Sequence, residues 1–152
     1  MSKIFLKFQI GIISLLLVTA SSIDAQGLET QNLAQVKTIY VFPMRGGMTN
    51  YVTSELVRWG RFQVTLNPHQ ADALLSDSTK VDLKTLMVDP KAPQKTSSAR
   101  GTLFLIDLKT ENVIWAIAKN PSESFFMGGD KSNPELAHEM IMALRKDLES
   151  GK

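Results

Sequence analysis

The 152-residue chain contains no cysteine. That removes disulfides, thiol nucleophiles, zinc-thiolate sites, iron–sulfur clusters and a lipid-modified N-terminal cysteine. Histidine occurs only as His69 and His138. His138-Glu139-Met140-Ile141-Met142 is not H-E-x-x-H, because Met142 stands where the second imidazole must be, so no metal site is expected. A dominant charge is missing as well: 17 Lys+Arg face 15 Asp+Glu, a formal net charge of +2. That balance offers no polybasic surface, and neither nucleic acid nor an anionic membrane is an expected partner. Neither G-x-G-x-x-G nor G-x-x-x-x-G-K-[ST] occurs, and no serine sits in G-x-S-x-G. What remains is an ordinary globular composition, 43% apolar and 21% charged.

Residues 1–25 read as a secretory signal. Lys3 and Lys7 give a positive start, Ile10 to Val18 an apolar stretch, and Thr19 to Ala25 a polar end closing on a small residue. The apolar stretch is well short of the roughly 20 residues a spanning helix requires. Cleavage near Ala25 is therefore expected, giving a periplasmic or secreted protein with no stable membrane anchor. The mature chain would be sized for one domain of about 100–150 residues.

Residues 26–35 are polar and read as a flexible lead-in, and residues 36–149 as a single α/β domain. Val36 to Phe42 is β-branched and aromatic and stops at Pro43, the pattern of a first strand. Thr49 or Asn50 can cap a helix to Trp59, with Met48, Val52 and Leu56 facing the core and Gly60 as its stop. Phe62, Val64 and Leu66 alternate with polar residues, as in a strand with one buried face. After the turn Asn67 to Gln70, Ala71 to Leu75 re-enters the core. Val81 to Val88 is a short helix candidate.

Thr102 to Leu108 and Val113 to Ala118 are strong strands joined by four residues, which predicts a β-hairpin. In that pattern Asp107 alternates onto the exposed face, and Asp72 ends a strand edge. Ser132 or Asn133 caps a last helix with the stripe Leu136, Met140, Ile141, Leu144 and Leu148. The expected fold is α+β: a two-layer sandwich with a four- to five-stranded mixed sheet and two main helices packed on one face.

The run VFPM, then WGRFQVTLNPHQADALL, then FLIDLKTENVIWA and a closing helix resembles small exported bacterial proteins of uncharacterised function. It is more distantly similar to the periplasmic domain shared by CsgG, LpoB and the amino-terminal part of TolB. The resemblance covers about residues 36–148 and implies a compact α/β module that binds other envelope components; the expected partner is another envelope protein, and no cofactor is expected. Relatives with the hairpin motif often carry Gly after the Thr, where this chain has Glu111.

Two segments are candidate contact sites. Arg45, Gly46, Gly47 and Thr49 leave a strand and open a helix, where free N–H groups and a bidentate guanidinium suit a small anion. The plainer account, which the sequence favours, is a Gly-Gly turn that folds the helix back. Phe125, Phe126 and Met127 form an interaction patch if exposed and a core plug if buried. The resulting functional expectation is a non-enzymatic binding or assembly module of the bacterial cell envelope, with small-ligand binding at the Arg45 mouth as the alternative.

Overall fold

The computed structural model describes residues 33–94, 100–121 and 131–151. Residues 1–25, expected from the sequence to be a secretory signal, and Phe125, Phe126 and Met127 lie outside them. Five strands build one sheet: β1 (Thr38–Val41), β2 (Gln63–Thr65), β3 (Ala73–Ser76), β4 (Thr102–Asp107) and β5 (Val113–Ala118). Among the described residues three α-helices accompany it: α1 (Met48–Trp59), α2 (Leu83–Val88) and α3 (Asn133–Glu149). The spatial order is β2-β1-β3-β4-β5. β1 runs parallel to both β2 and β3, whereas β3–β4 and β4–β5 are antiparallel. The fold is thus α+β with a five-stranded mixed sheet.

β1 and β3 carry unbroken apolar runs because both of their faces are covered. Ile39, Val41, Ala73, Leu75, Leu103 and Leu105 face α1 and α3, which contribute Val52, Leu56, Leu136, Met140 and Leu144 to the main core. Tyr40, Phe42, Leu74 and Ile106 point the other way and pack with Leu86 of α2. That burial holds the Tyr40 phenol above its ordinary pKa, because the low-dielectric surroundings disfavour the phenolate. The two main helices share one face, and the six-residue α2 partly covers the opposite one. Each fully buried leucine contributes about 1.5–3 kcal/mol of transfer free energy.

The helix ends follow local chemistry. Gly47, not Thr49 or Asn50, occupies the position before α1, with φ at 74°. Thr49 instead turns its hydroxyl to accept the Met44 N–H at 2.7 Å. Gly60 closes α1 at φ 71°, its N–H reaching Leu56 O. At α3, the Glu135 carboxylate accepts both the backbone N–H and the hydroxyl of Ser132, each at 2.8 Å. Those bonds hold the Glu135 carboxyl below the usual carboxylate range, the backbone bond contributing most. The core also starts earlier than expected, since Leu33–Gln35 forms a 3-10 turn and Leu33 is buried.

Two expectations are corrected. Leu66 is 93% exposed. β2 stops at Thr65, and the chain then turns into the 3-10 segment Pro68–Gln70 capped by the Asn67 side chain. Asp107 is fully buried rather than on an exposed face. β4 is covered on both faces, Leu103 and Leu105 packing in the main core and Ile106 on the α2 side, so neither face is exposed, and Oδ1 of Asp107 folds over the hairpin turn. There it accepts the N–H groups of Lys109 at 2.7 Å and Thr110 at 3.2 Å.

The same turn places Glu111 at φ 58°, the left-handed region that glycine adopts without strain. Glu111→Gly is expected to stabilise the chain by about 0.5–1 kcal/mol, since a left-handed non-glycine residue costs roughly 1–2 kcal/mol and glycine's extra chain entropy offsets part of it. Urea unfolding measures this; a destabilised variant would contradict it.

Candidate functional site

β1 and β3 are parallel neighbours, so their C-terminal ends open on the same edge of the sheet. The chain leaves β1 toward α1 on one face and leaves β3 toward α2 on the other. Diverging connections of this kind leave a crevice beyond the strand ends, where ligands of open α/β sheets bind. Here the crevice is a cavity of about 510 Å³. Ligand pockets are commonly about 300–1,000 Å³.

Four segments line it. Arg45, Gly46 and Met48 come from the β1–α1 connection, and Asp77 follows β3. Arg100, Gly101 and Thr102 lead into β4, and Asn133 opens α3. Gly46 adopts φ 63°. A Cβ there would lie 2.9 Å from Asn133 Nδ2, which donates to Gly46 O at 2.6 Å. Asn133 Oδ1 accepts from Arg100 Nε at 3.3 Å, and the Arg100 guanidinium also meets Lys131 O. One carboxamide therefore ties the α1 entrance to the segment before β4. Thr102 donates its hydroxyl to Asp77 O at 3.2 Å, fixing the loop that carries the buried Asp77 side chain.

Gly47 has no side chain to cap α1, and the Met48 N–H donates to Arg45 O, so no cap side chain serves the remaining first-turn N–H groups. These N–H groups, the dipole of α1 and the exposed Arg45 guanidinium favour an anionic group at this lip. The crevice thus combines two guanidinium groups, one buried carboxyl group and an apolar floor at Met48.

Of the residues singled out from the sequence, Arg45 and Gly46 line the cavity. Gly47 precedes the helix without lining it, and Thr49 is engaged with Met44. Asp77, Arg100, Thr102 and Asn133 were not identified from sequence. Asn133 had a local signal as a capping candidate, but its reach to Gly46 joins residues 87 apart in the chain.

Other polar side chains have structural tasks. Asp72 Oδ2 accepts the N–H groups of Lys37 and Thr38 at 3.0 and 2.9 Å, joining the start of β1 to β3. His69 lies on an exposed turn, and His138 Nδ1 meets Glu55 Oε2 at 2.9 Å across α1 and α3. Trp115 donates Nε1–H to Asp147 at 3.0 Å, and Trp59 meets Phe62 edge-on at 5.2 Å. Among the described residues no three His, Asp or Glu side chains gather in a way that would hold a metal ion, and no helix is long and apolar enough to cross a membrane.

Comparison of the chain with protein families, with curated proteins and with solved structures finds no match.

Proposed function

We propose that the chain is an exported, non-enzymatic binding module whose site is the crevice at the ends of β1 and β3, and that it takes a small ligand with an anionic group. The observation that carries this reading is the cavity of about 510 Å³ with Arg45 and Arg100 on its walls. Its rim is built from sequence-distant segments that the Asn133 side chain locks together. Export rests on the pattern of residues 1–25, which suits cleavage near Ala25 and a periplasmic or secreted location.

A ligand that binds only the folded state raises its melting temperature. At one hundred times Kd the stabilisation is about 2.7 kcal/mol, or a rise of roughly 5–15 °C for a domain of this size. Screening the full chain by thermal shift against small carboxylates and phosphates is expected to yield such a rise. Arg45→Ala, at an exposed position, is expected to leave the unliganded melting temperature within about 2 °C and to remove most of the ligand-induced rise. A panel with no shift, or a shift unchanged in Arg45→Ala, overturns the reading.

A second reading, assembly with another envelope protein, is favoured by β5. Among the described residues this strand pairs only with β4, and its six residues Val113–Ala118 carry neither charge nor proline. Such an edge is unguarded against addition of a further strand. The same screen separates the two readings, because edge pairing does not require a small anion.

A further inference from the structure

We infer that the β5 edge joins a second copy of this chain, the two β5 strands pairing antiparallel about a two-fold axis at Ala116. This rests on one element of the second reading, that the β5 edge is open, and names its occupant. β5 ends the sheet among the described residues. Its surface there is apolar, with Val113 46% exposed and Ala116 and Ala118 exposed as well.

The backbone decides which groups face outward. Lys119 N–H donates to Gly101 O and Asp107 N–H to Asn112 O, at the two ends of the β4–β5 ladder. Between them Ala116, Trp115 and Val113 lie opposite Phe104, Leu105 and Ile106, which leaves Ile114 as an extra residue in β5. Hydrogen bonding alternates along an antiparallel ladder, so Val113, Ala116 and Ala118 turn their N–H and C=O groups away from β4. Counted along β4, Asn112 and Lys119 stand equally far from Ala116 on either side.

A two-fold axis at Ala116 therefore gives each outward group a partner: Ala116 meets Ala116 of the second copy, and Val113 meets Ala118. Trp115 faces Ile117 of the second copy, an aromatic and β-branched pair. Asn112 comes opposite Lys119, which brings the neighbouring Glu111 within reach of the Lys119 ammonium at both ends of the pair. Neither Glu111 nor Lys119 has an ion-pair partner among the described residues. A foreign strand would have to reproduce this order of acid, apolar run and base, whereas a second copy carries it by symmetry.

Sedimentation equilibrium of the full chain over a wide concentration range tests this, and a concentration-dependent dimer is expected. Ala116→Pro, which an edge strand tolerates where the N–H faces outward, should leave a folded monomer. Glu111→Lys and Lys119→Glu each set like charges at both ends and should weaken the dimer by roughly tenfold. An equimolar mixture of those two variants should form a mixed dimer as tight as the original, because each end then pairs opposite charges. A dimer that Ala116→Pro leaves intact, or a mixture no tighter than its components, overturns the inference. So does an unaltered chain that stays monomeric, and hydrogen exchange then separates the causes. Fast exchange of the Val113, Ala116 and Ala118 amides overturns only the second copy as occupant, while protected amides overturn the open edge as well. Should Ala116→Pro not fold, the charge variants and their mixture decide alone.

Discussion

Gly101→Ala is expected to destabilise the chain by about 2–5 kcal/mol, combining a disfavoured backbone conformation with steric overlap. Gly101 is buried at φ 88°, and a Cβ there would fall 2.3 Å from the carbonyl oxygen of Lys119. That oxygen belongs to the backbone, so the added methyl cannot be relieved by a side-chain rotation. The Lys119 N–H also donates to Gly101 O at 2.7 Å, which closes the open end of the β4–β5 hairpin. Separating the two strands there would lose this bond and move a wall of the crevice. Thermal unfolding followed by circular dichroism should show a fall of roughly 5–30 °C, at about 2–6 °C per kcal/mol for a domain of this size. A change under about 3 °C would mean that the hairpin end does not have this geometry.

Leu75→Ala carries a comparable cost for a different reason. Leu75 is fully buried in β3, opposite Val41 on one side and Leu105 on the other, beneath the main helices. Truncation there removes the transfer free energy of the lost methyl groups and leaves a cavity that a central strand cannot collapse around. The expected loss is about 2–5 kcal/mol. Leu66→Ala is the internal control, since that side chain is almost wholly in solvent and should change stability by less than about 0.5 kcal/mol. Urea unfolding of both variants distinguishes the positions. Similar losses at Leu66 and Leu75 would contradict the end of β2 at Thr65.

Both helices that cover the main core were legible as periodic patterns. Met48, Val52 and Leu56 recur every four residues, and Leu136, Met140 and Leu144 do the same, so their faces follow from helix geometry alone. The hairpin was legible because two β-branched, apolar runs flank a short polar turn. Asp107 was misplaced because alternation says only that it lies opposite Ile106 and Leu108, not that this opposite face is also covered, which depends on the distant main helices packing over Leu103 and Leu105. The left-handed residue that this turn requires is Glu111, which carries no glycine signal in the sequence.

The crevice was legible only on one lip. Arg45 and Gly46 belong to a local strand-to-helix passage, whose glycines have a backbone reason to be there. Asp77, Arg100 and Asn133 join them only because α1 and α2 lie on opposite faces of the sheet and α3 starts at the same edge. The face that α2 covers is set by Leu86 packing on Tyr40, Phe42, Leu74 and Ile106, a contact among distant strands that no local pattern encodes.

Backbone amide chemical shifts, followed by heteronuclear NMR while a small anion such as phosphate or glutamate is titrated into the full chain, test the crevice most directly. The account predicts saturable movement of the Gly46, Gly47, Gly101 and Asn133 amides, with those of β2 and the Asn67 turn unmoved. Movement centred on β5, or none at saturating ligand, would contradict it.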